Sequence, residues 1–343
     1  MQEKRICSRC IMPESLPEIF LDENGVCNLC HAHDAMKKFE ETRKPLETDL
    51  LKILDKYRGK NKYDCMVMCS GGKDSTSALY FMKKRYKLNV LAFMFDHGFE
   101  SEEAIENVKK ATDKLGVDLL FFKSAYMRDM FRKLVETDSR AVICHPCSIW
   151  YMDLAFDVAA RYEIPIIVAG WTKGQSQKQE VMSKCGCNVH TAEFKKMADN
   201  TVEFLNNSLQ EMPQYKNFPK SMEEVLRKAK RKHKALVISP HWFLPYGPEE
   251  YVKLIKDELD WKAPLLSYPQ GSTNCRMNFM SVYYSLKHYG YTHYHVEASK
   301  LIRENILTRD EAMEQLKLNF DSEELIKIAR ELGLNDKDFE DFN

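Results

Sequence analysis

The sequence predicts a parallel, doubly wound α/β sheet carrying a small metal ribbon in front and a mostly helical region behind. Three observations lead there. Short apolar runs alternate with helical stretches from Leu46 to Ala169, the pattern of parallel strands joined by crossover helices. The first apolar run is followed at once by a glycine-paired turn that opens a helix, Ser70-Gly71-Gly72-Lys73-Asp74-Ser75-Thr76. Ahead of the sheet stand two cysteine pairs, and from about Thr201 the composition shifts towards Lys, aromatic residues and Pro. The expected division is a zinc-ribbon-like module over 1–44, a sheet domain over 45–205, and a C-terminal substrate-binding or oligomerisation region over 206–343.

Taken in order, Leu46 to Gly59 is an amphipathic helix leading into the strand Cys65-Met66-Val67-Met68-Cys69, which is short, apolar and bounded by polar residues. Thr76 to Arg85 continues as a helix. Leu88 to Phe95 is a second strand ending at Asp96-His97-Gly98, Ser101 to Leu115 a helix, and Val117 to Phe122 a third strand. Ser148 to Tyr162 is a helix feeding a fourth strand, Ile164 to Ala169, which ends at Gly170-Trp171-Thr172-Lys173-Gly174-Gln175. Doubly wound sheets bind ligands outside the carboxyl ends of their strands, so loops 70–75, 96–100 and 170–175 should share one cleft. There Asp96 would meet a ribose or a metal, and Gly170 and Lys173 the phosphates. Any one of these alone reads as a solvated loop residue; the shared edge selects function.

Further on, Lys216, Lys220, Arg227, Lys228, Lys230, Arg231, Lys232 and Lys234 form a basic cluster. It reads as a solvated helix face rather than a contact to RNA phosphates or an anionic sugar nucleotide. Pro264 to Asn278 is a loop, and Tyr283 to His295 is rich in aromatics and His. Thr308 with Glu311, and Asp321 with Glu324, have capping-box spacing ahead of apolar periodic runs.

The chain of 343 residues carries 51 basic and 51 acidic side chains, which gives no global attraction to nucleic acid or to an anionic membrane. No apolar run follows the start Met-Gln-Glu-Lys-Arg or approaches the length of a membrane span, so the expected location is the cytoplasm. There, 11 cysteines point to metal or redox chemistry rather than disulfides.

The chemistry starts at the turn. Gly71 and Gly72 let the backbone approach a polyanion closely, and the free amides and positive dipole end of the following helix face that anion. Lys73 adds a mobile positive charge, Ser70, Ser75 and Thr76 offer hydroxyls, and Asp74 would hold the magnesium that accompanies ATP. A generic polar turn rarely combines these groups. Walker A is excluded, since its two glycines stand further apart than the adjacent Gly71 and Gly72. Cys7, Cys10, Cys27 and Cys30 form C-x2-C-x16-C-x2-C with Gly25 before the second pair, the spacing of a closed tetrahedral zinc site, with His31 and His33 in reserve. Cys65 and Cys69 read as small core residues. Cys144, Cys147, Cys185, Cys187 and Cys275 form a second set: either a second zinc site of Cys144, Cys147, Cys185 and Cys187, or free thiols, or the cluster described next.

The Ser70–Thr76 turn resembles the SGGxDS loop of the PP-loop ATP pyrophosphatase superfamily, of the adenine nucleotide alpha hydrolase kind, whose members grip pyrophosphate and cleave ATP to AMP. With Cys7-Ser8-Arg9-Cys10-Ile11-Met12-Pro13, with Phe20 to Cys30, and with Leu301-Ile302-Arg303 and Leu307 to Ala312, the chain is similar to the bacterial N-acetyl sugar amidotransferases over most of its length. That resemblance implies catalytic roles for Lys73, Asp74 and Ser75. It implies an enzyme that adenylates the acetamido group of a nucleotide-linked sugar and lets ammonia, supplied by a separate glutaminase, displace AMP. A homodimer is in keeping with it. Cys144-His145-Pro146-Cys147 departs from that pattern and resembles instead the CxxC of PP-loop tRNA sulfurtransferases, where a distant third cysteine, here Cys275, completes the ligands of a [4Fe-4S] cluster. Nitrogen and sulfur therefore both stand as the incoming nucleophile.

Overall fold

In a computed structural model, which describes residues 4–37, 46–172, 192–271 and 274–334, the expected sheet has five parallel strands in the order β3-β2-β1-β4-β5. These are β1 (Cys65–Met68), β2 (Val90–Asp96), β3 (Asp118–Lys123), β4 (Ile166–Val168) and β5 (Leu236–Ile238). The register pairs Val67 with Ala92 on one side and with Val168 on the other. The chain winds outward from β1 to β3, then returns to β4, so the order reverses between β1 and β4. A crevice opens where neighbouring strands send their connections to opposite faces, and the glycine turn after β1 lies there.

Side chains of the central strands alternate between two cores, as the two-residue period requires. Cys65, Val67 and Cys69 pack with Leu50, Leu54, Val108, Tyr251 and Ile255 on one face. Met66, Met68, Leu91 and Phe93 pack with Phe131, Phe156, Met280 and Ile328 on the other. Burial pushes the Cys69 thiol up to about 12 and Cys65 further still, in keeping with neutral core residues.

The helices are α1 (Asn28–Lys37), α2 (Glu47–Tyr57), α3 (Lys73–Tyr80), α4 (Glu102–Leu115), α5 (Ala125–Glu136), α6 (Cys144–Arg161), α7 (Ala192–Glu211), α8 (Met222–Lys232), α9 (Pro248–Leu259), α10 (Met277–Tyr289), α11 (His293–Arg303), α12 (Arg309–Gln315) and α13 (Ser322–Glu331). Four details differ from the sequence expectation. First, α3 begins at Lys73 rather than Thr76 and passes into a π-turn over Phe81–Arg85. Second, α6 begins at Cys144 rather than Ser148, so the Cys-His-Pro-Cys motif is its first turn, with Pro146 in a position where no donor is needed. Third, α7 runs across the boundary placed at 205, and β5 comes from beyond it, a strand too short to register as a period after the basic helix. Fourth, Thr308 and Glu311 do form a reciprocal capping box, whereas Asp321 caps α13 while Glu324 pairs with Lys327. The basic cluster is a helix face, as expected: Lys228 and Lys232 bind Asp153 and Asp157 of α6, and Arg227, Lys230 and Arg231 are exposed. Lys173, Cys185 and Cys187 lie outside the described residues.

Among the described residues no helix is long and apolar enough to cross a membrane. The cysteine ribbon docks on the helical layer: Ile11 N–H donates to Ser299 Oγ at 3.3 Å, Lys4 Nζ and Ser15 Oγ donate to Tyr289 O, and Met12 and Ile19 share a core with Val142, Tyr291 and Val296.

Candidate functional site

The loop after β1 is fixed by contacts that only its own residues permit. Gly71 has φ +76°, and a Cβ there would meet Ala104 O at 2.1 Å. A Cβ on Gly72 would meet Asn274 Nδ2 at 3.0 Å, and one on Gly170 would meet Ser75 N at 2.6 Å. Glycine at 71 therefore answers both a left-handed conformation and a close backbone approach. Gly71 O accepts from Asn107 Nδ2 at 3.1 Å and from Trp261 Nε1 at 2.9 Å. Ser75 Oγ accepts the Ser70 N–H at 3.1 Å, closing the turn on itself. The first intrahelical bond of α3 runs from Thr76 N to Gly72 O, which leaves the amides of Lys73, Asp74 and Ser75 without an intrahelical acceptor. A cradle of this kind, positive at the helix end and lacking side chains at 71 and 72, fits a polyphosphate.

Asp74 is held from several sides. Its carboxylate pairs with Lys73 Nζ at 3.0 Å and accepts from Tyr251 OH, and its carbonyl accepts from His241 Nε2 at 2.9 Å and Ser77 Oγ at 3.0 Å. Burial, with the Asp74 charge, pushes the Tyr251 hydroxyl well up, so it stays a donor. Asp96 ends β2, is buried, and accepts the Gly98 N–H at 2.7 Å. Its carboxylate thus fastens the turn that starts the neighbouring loop. Thr172, beyond Gly170, donates to Glu297 Oε1 of α11 at 3.2 Å.

Of the second cysteine set, Cys275 lies on a strap that runs beside the same loop. Cys275 pairs with Glu100 in an isolated bridge, with Ser101 N donating to Asn274 O and Arg276 N to Phe99 O at 2.9 Å each. This strap lays Asn274 over the glycine loop, where its Nδ2 faces Ser70 O, and places Cys275 beside His97. His97 is buried against Glu100 at 2.9 Å; burial opposes its charge, but Cys275 and Glu100 outweigh that and hold its pKa well above the ordinary value. Burial lifts Cys144 to about 11, with Cys275 adding to it, and lifts Cys147 to about 12. Three thiols from α6 and the strap therefore lie within electrostatic reach of one another. Cys144 Sγ donates to Ser281 Oγ at 3.3 Å.

The ribbon is a different kind of site. Sγ atoms of Cys7, Cys10, Cys27 and Cys30 all lie within 4.8 Å of one another and are buried. Cys10 and Cys27 are 3.6 Å apart, close to the edge of about 3.8 Å that a tetrahedron with Zn–S of about 2.3 Å requires. Cys7 Sγ accepts the amides of Arg9, Cys10 and Cys27 at 3.2–3.4 Å. Thiol donors of Cys10, Cys27 and Cys30 hold Cys7 well below its usual value, and those of Cys27 and Cys30 hold Cys10 at about 6. Cys27 and Cys30 are pushed up, first by Cys10. Four sulfurs this close ionise together only around a cation, so the donor set fits a closed zinc site. His31 turns away from the sulfurs to Asp22 at 2.8 Å.

Sequence reading singled out the loop, Asp96 and Gly170, which follow or end β1, β2 and β4, and Cys144, Cys147 and Cys275, which lie on α6 and the strap. It missed Asn107, His241, Tyr251, Trp261, Asn274 and Glu297, which reach the loop from distant parts of the chain. The one available signal was apolar stretches interrupted by single polar residues.

Residues 64–240 match the family described as queuosine biosynthesis protein QueC, and residues 273–342 match the C-terminal domain of LPS biosynthesis protein WbpG-like proteins. An uncharacterized protein of Methanocaldococcus jannaschii is 25% identical over 296 residues, 86% of each chain. The 7-cyano-7-deazaguanine synthase of Clostridium acetobutylicum is 41% identical over 58 residues, 17% of this chain and 26% of that one. Among solved structures, the U34-tRNA thiolase NcsA of Methanococcus maripaludis, with its [4Fe-4S] cluster, aligns with TM-score 0.36 and 19% identity over 90% of this chain and 89% of that one. The NMN synthetase of Francisella tularensis aligns with TM-score 0.32 and 12% identity, covering 80% and 95%.

Proposed function

The chain belongs to the family described as queuosine biosynthesis protein QueC, which spans more than half of it, and from that premise we propose an ATP-dependent amidotransferase of the PP-loop ATP pyrophosphatase type. Its acceptor is the acetamido group of a nucleotide-linked sugar. The observation that carries this reading is that the segment similar to an LPS biosynthesis protein, residues 273–342, supplies the wall facing the phosphate cradle: Asn274 over Ser70, and Glu297 against Thr172.

An amide carbonyl is a weak electrophile with a poor leaving group. Its oxygen attacks the α-phosphorus of ATP, pyrophosphate leaves, and the amide N–H proton is lost, giving an O-adenylated imidate. Ammonia then forms the new C–N bond and AMP departs, leaving an amidine. The protein positions the phosphates and neutralises their charge. The amides of Lys73, Asp74 and Ser75, the hydroxyls of Ser70, Ser75 and Thr76, and the Lys73 ammonium serve the β,γ-pyrophosphate, and Asp74 is the carboxylate nearest to carry Mg2+. The zinc ribbon has a structural or docking role. Ammonia comes from a separate glutaminase subunit, and a homodimer is compatible with the fold.

The test is formation of AMP and pyrophosphate that depends on both ammonium and an acceptor, across UDP- and CMP-linked N-acetyl sugars, with an active glutaminase added in parallel. No product across that panel overturns the reading.

A second reading has one specific observation in its favour, the convergence of Cys144, Cys147 and Cys275 on the same crevice. Three thiols from two segments would supply the ligands of a [4Fe-4S] cluster, and the enzyme would then be a sulfurtransferase acting on tRNA or a small metabolite. Nucleic acid is a partner only here. Anaerobically purified protein should contain iron and labile sulfide, both lost in Cys144→Ala; zinc alone removes the motive for it.

A further inference from the structure

Glu297 stands out as a carboxylate that the phosphate chemistry leaves without a task. It lies on α11, half-buried, and accepts a hydrogen bond from the Thr172 hydroxyl. Thr172 follows Gly170, which is packed against the start of α3, so Glu297 is tied to the loop after β4 beside the cradle. The charges that reach it are Asp74 and Lys73 from α3, and from its own helix Lys300 and the Tyr294 hydroxyl. Holding a carboxylate half out of water beside Asp74 costs free energy that a glutamine or leucine in a purely structural role would avoid.

We propose that Glu297 is the base that takes a proton from ammonium beside the adenylated acceptor, an inference that rests on the amidotransferase reading. The need arises from the nucleophile. At neutral pH, nearly all ammonia in solution is ammonium, whose nitrogen has no free electron pair. One ammonium proton passes to the Glu297 carboxylate. The freed ammonia forms the C–N bond to the imidate carbon, the C–O bond to AMP breaks, and AMP leaves with that electron pair. All three remaining N–H hydrogens stay on the product, which departs as an amidinium ion. Glu297 then gives its proton to solvent. Burial holds the Glu297 carboxyl above the usual range, against the Thr172 hydrogen bond, which brings it nearer the pH at which a base works best.

The experiment compares two amines in wild-type enzyme and Glu297→Gln, with ATP and a UDP- or CMP-linked N-acetyl sugar. Ammonium must be deprotonated before it attacks, whereas hydroxylamine is largely neutral at pH 7. AMP release with ammonium should fall about 10²-fold, the ordinary worth of a general base, while release with hydroxylamine falls less than about fivefold. Equal losses with both amines, or no loss with either, overturn the proposal. Thr172→Val supplies a second measurement should Glu297→Gln fail to fold. Removing the hydroxyl that favours the carboxylate should move the acid limb of the ammonium-dependent profile to higher pH, and an unmoved limb counts against Glu297. Wild-type enzyme without ammonium-dependent AMP release overturns the amidotransferase reading and this inference with it; wild-type turnover with equal losses in the variant overturns this inference alone.

Discussion

The two cysteine sets use one side chain for opposite ends. In the ribbon, four sulfurs are buried at mutual distances within 4.8 Å and backed by three backbone amides. The four sulfurs leave no open position, and the ribbon's own apolar contribution is small: Met12 and Ile19 pack with the four cysteines and with Val142, Tyr291 and Val296 of the layer it docks on. The second set is drawn from the first turn of α6 and a strap more than a hundred residues away, is only partly covered, and borders His97, Glu100 and the phosphate cradle. Local spacing builds a structural site, because short knuckles need no tertiary fold to form. Cys144 and Cys147 are brought together with Cys275 only by the tertiary fold, the pair oriented by α6 and the third by the strap.

The difference breaks most visibly if the ribbon is opened. Cys10→Ala should drop bound zinc from one equivalent to none and unfold residues 4–37, because the binding energy of such a site, on the order of 10 kcal/mol, is also its folding energy. Metal analysis with proteolysis of the amino-terminal segment reads this, and a variant that keeps both zinc and protection would refute a closed four-thiolate site. Gly71→Ala is expected to do the reverse. Its Cβ would overlap the Ala104 carbonyl at 2.1 Å, so pyrophosphate release should fall at least about 10²-fold while the ribbon keeps its metal. Loss of zinc in that variant would mean that the two regions fold as one unit.

How far the sequence led depends on the same contrast between local and distant. The C-x2-C pairs, the glycine turn after β1 and the apolar strands are contiguous signals, and each is present, with the helix after the turn starting earlier and β4 shorter than expected. β5 was invisible because three residues carry no period, and α6 was begun too late because Pro146 reads as a breaker although it is tolerated in a first turn. Tyr251, His241 and Trp261 converge on the loop from well over a hundred residues away. Single polar residues in amphipathic stretches do not announce such a meeting. Glu297 was hidden in an aromatic and His-rich helix whose face towards the crevice is set by the docking of the whole C-terminal layer.

For the second set, Cys144→Ala and Cys275→Ser separate the two chemistries. Under the amidotransferase reading each should lower ammonium-dependent AMP release by less than about tenfold, the cost of a packing change of about 1 kcal/mol near the cleft, with zinc unaffected. Under the sulfur reading each removes iron and all turnover. Turnover lost without any iron to lose would point to a thiol acting directly, which neither reading contains.

A further expected effect is a pH dependence confined to the second region. Burial lowers His145, which stands between Cys144 and Cys147, from its ordinary 6.5 to about 4, and burial does the same to His293 and His295 on α11. A lowered histidine is neutral in the fold, so the unfolded chain takes up protons first as the pH falls. Stability is therefore full above pH 6.5 and is lost as the pH drops towards 4. The three rings lie near one another and are not additive; a shift from 6.5 to about 4 corresponds to about 3 kcal/mol for one ring, so the combined loss is at least of that order. Thermal melting of the zinc-loaded protein across that window reads the slope, and His145→Gln should flatten it without altering stability at pH 8 by more than about 1 kcal/mol. A slope that persists unchanged in His145→Gln and His295→Gln would place the acid sensitivity in the ribbon thiolates instead, and with it the weaker of the two regions.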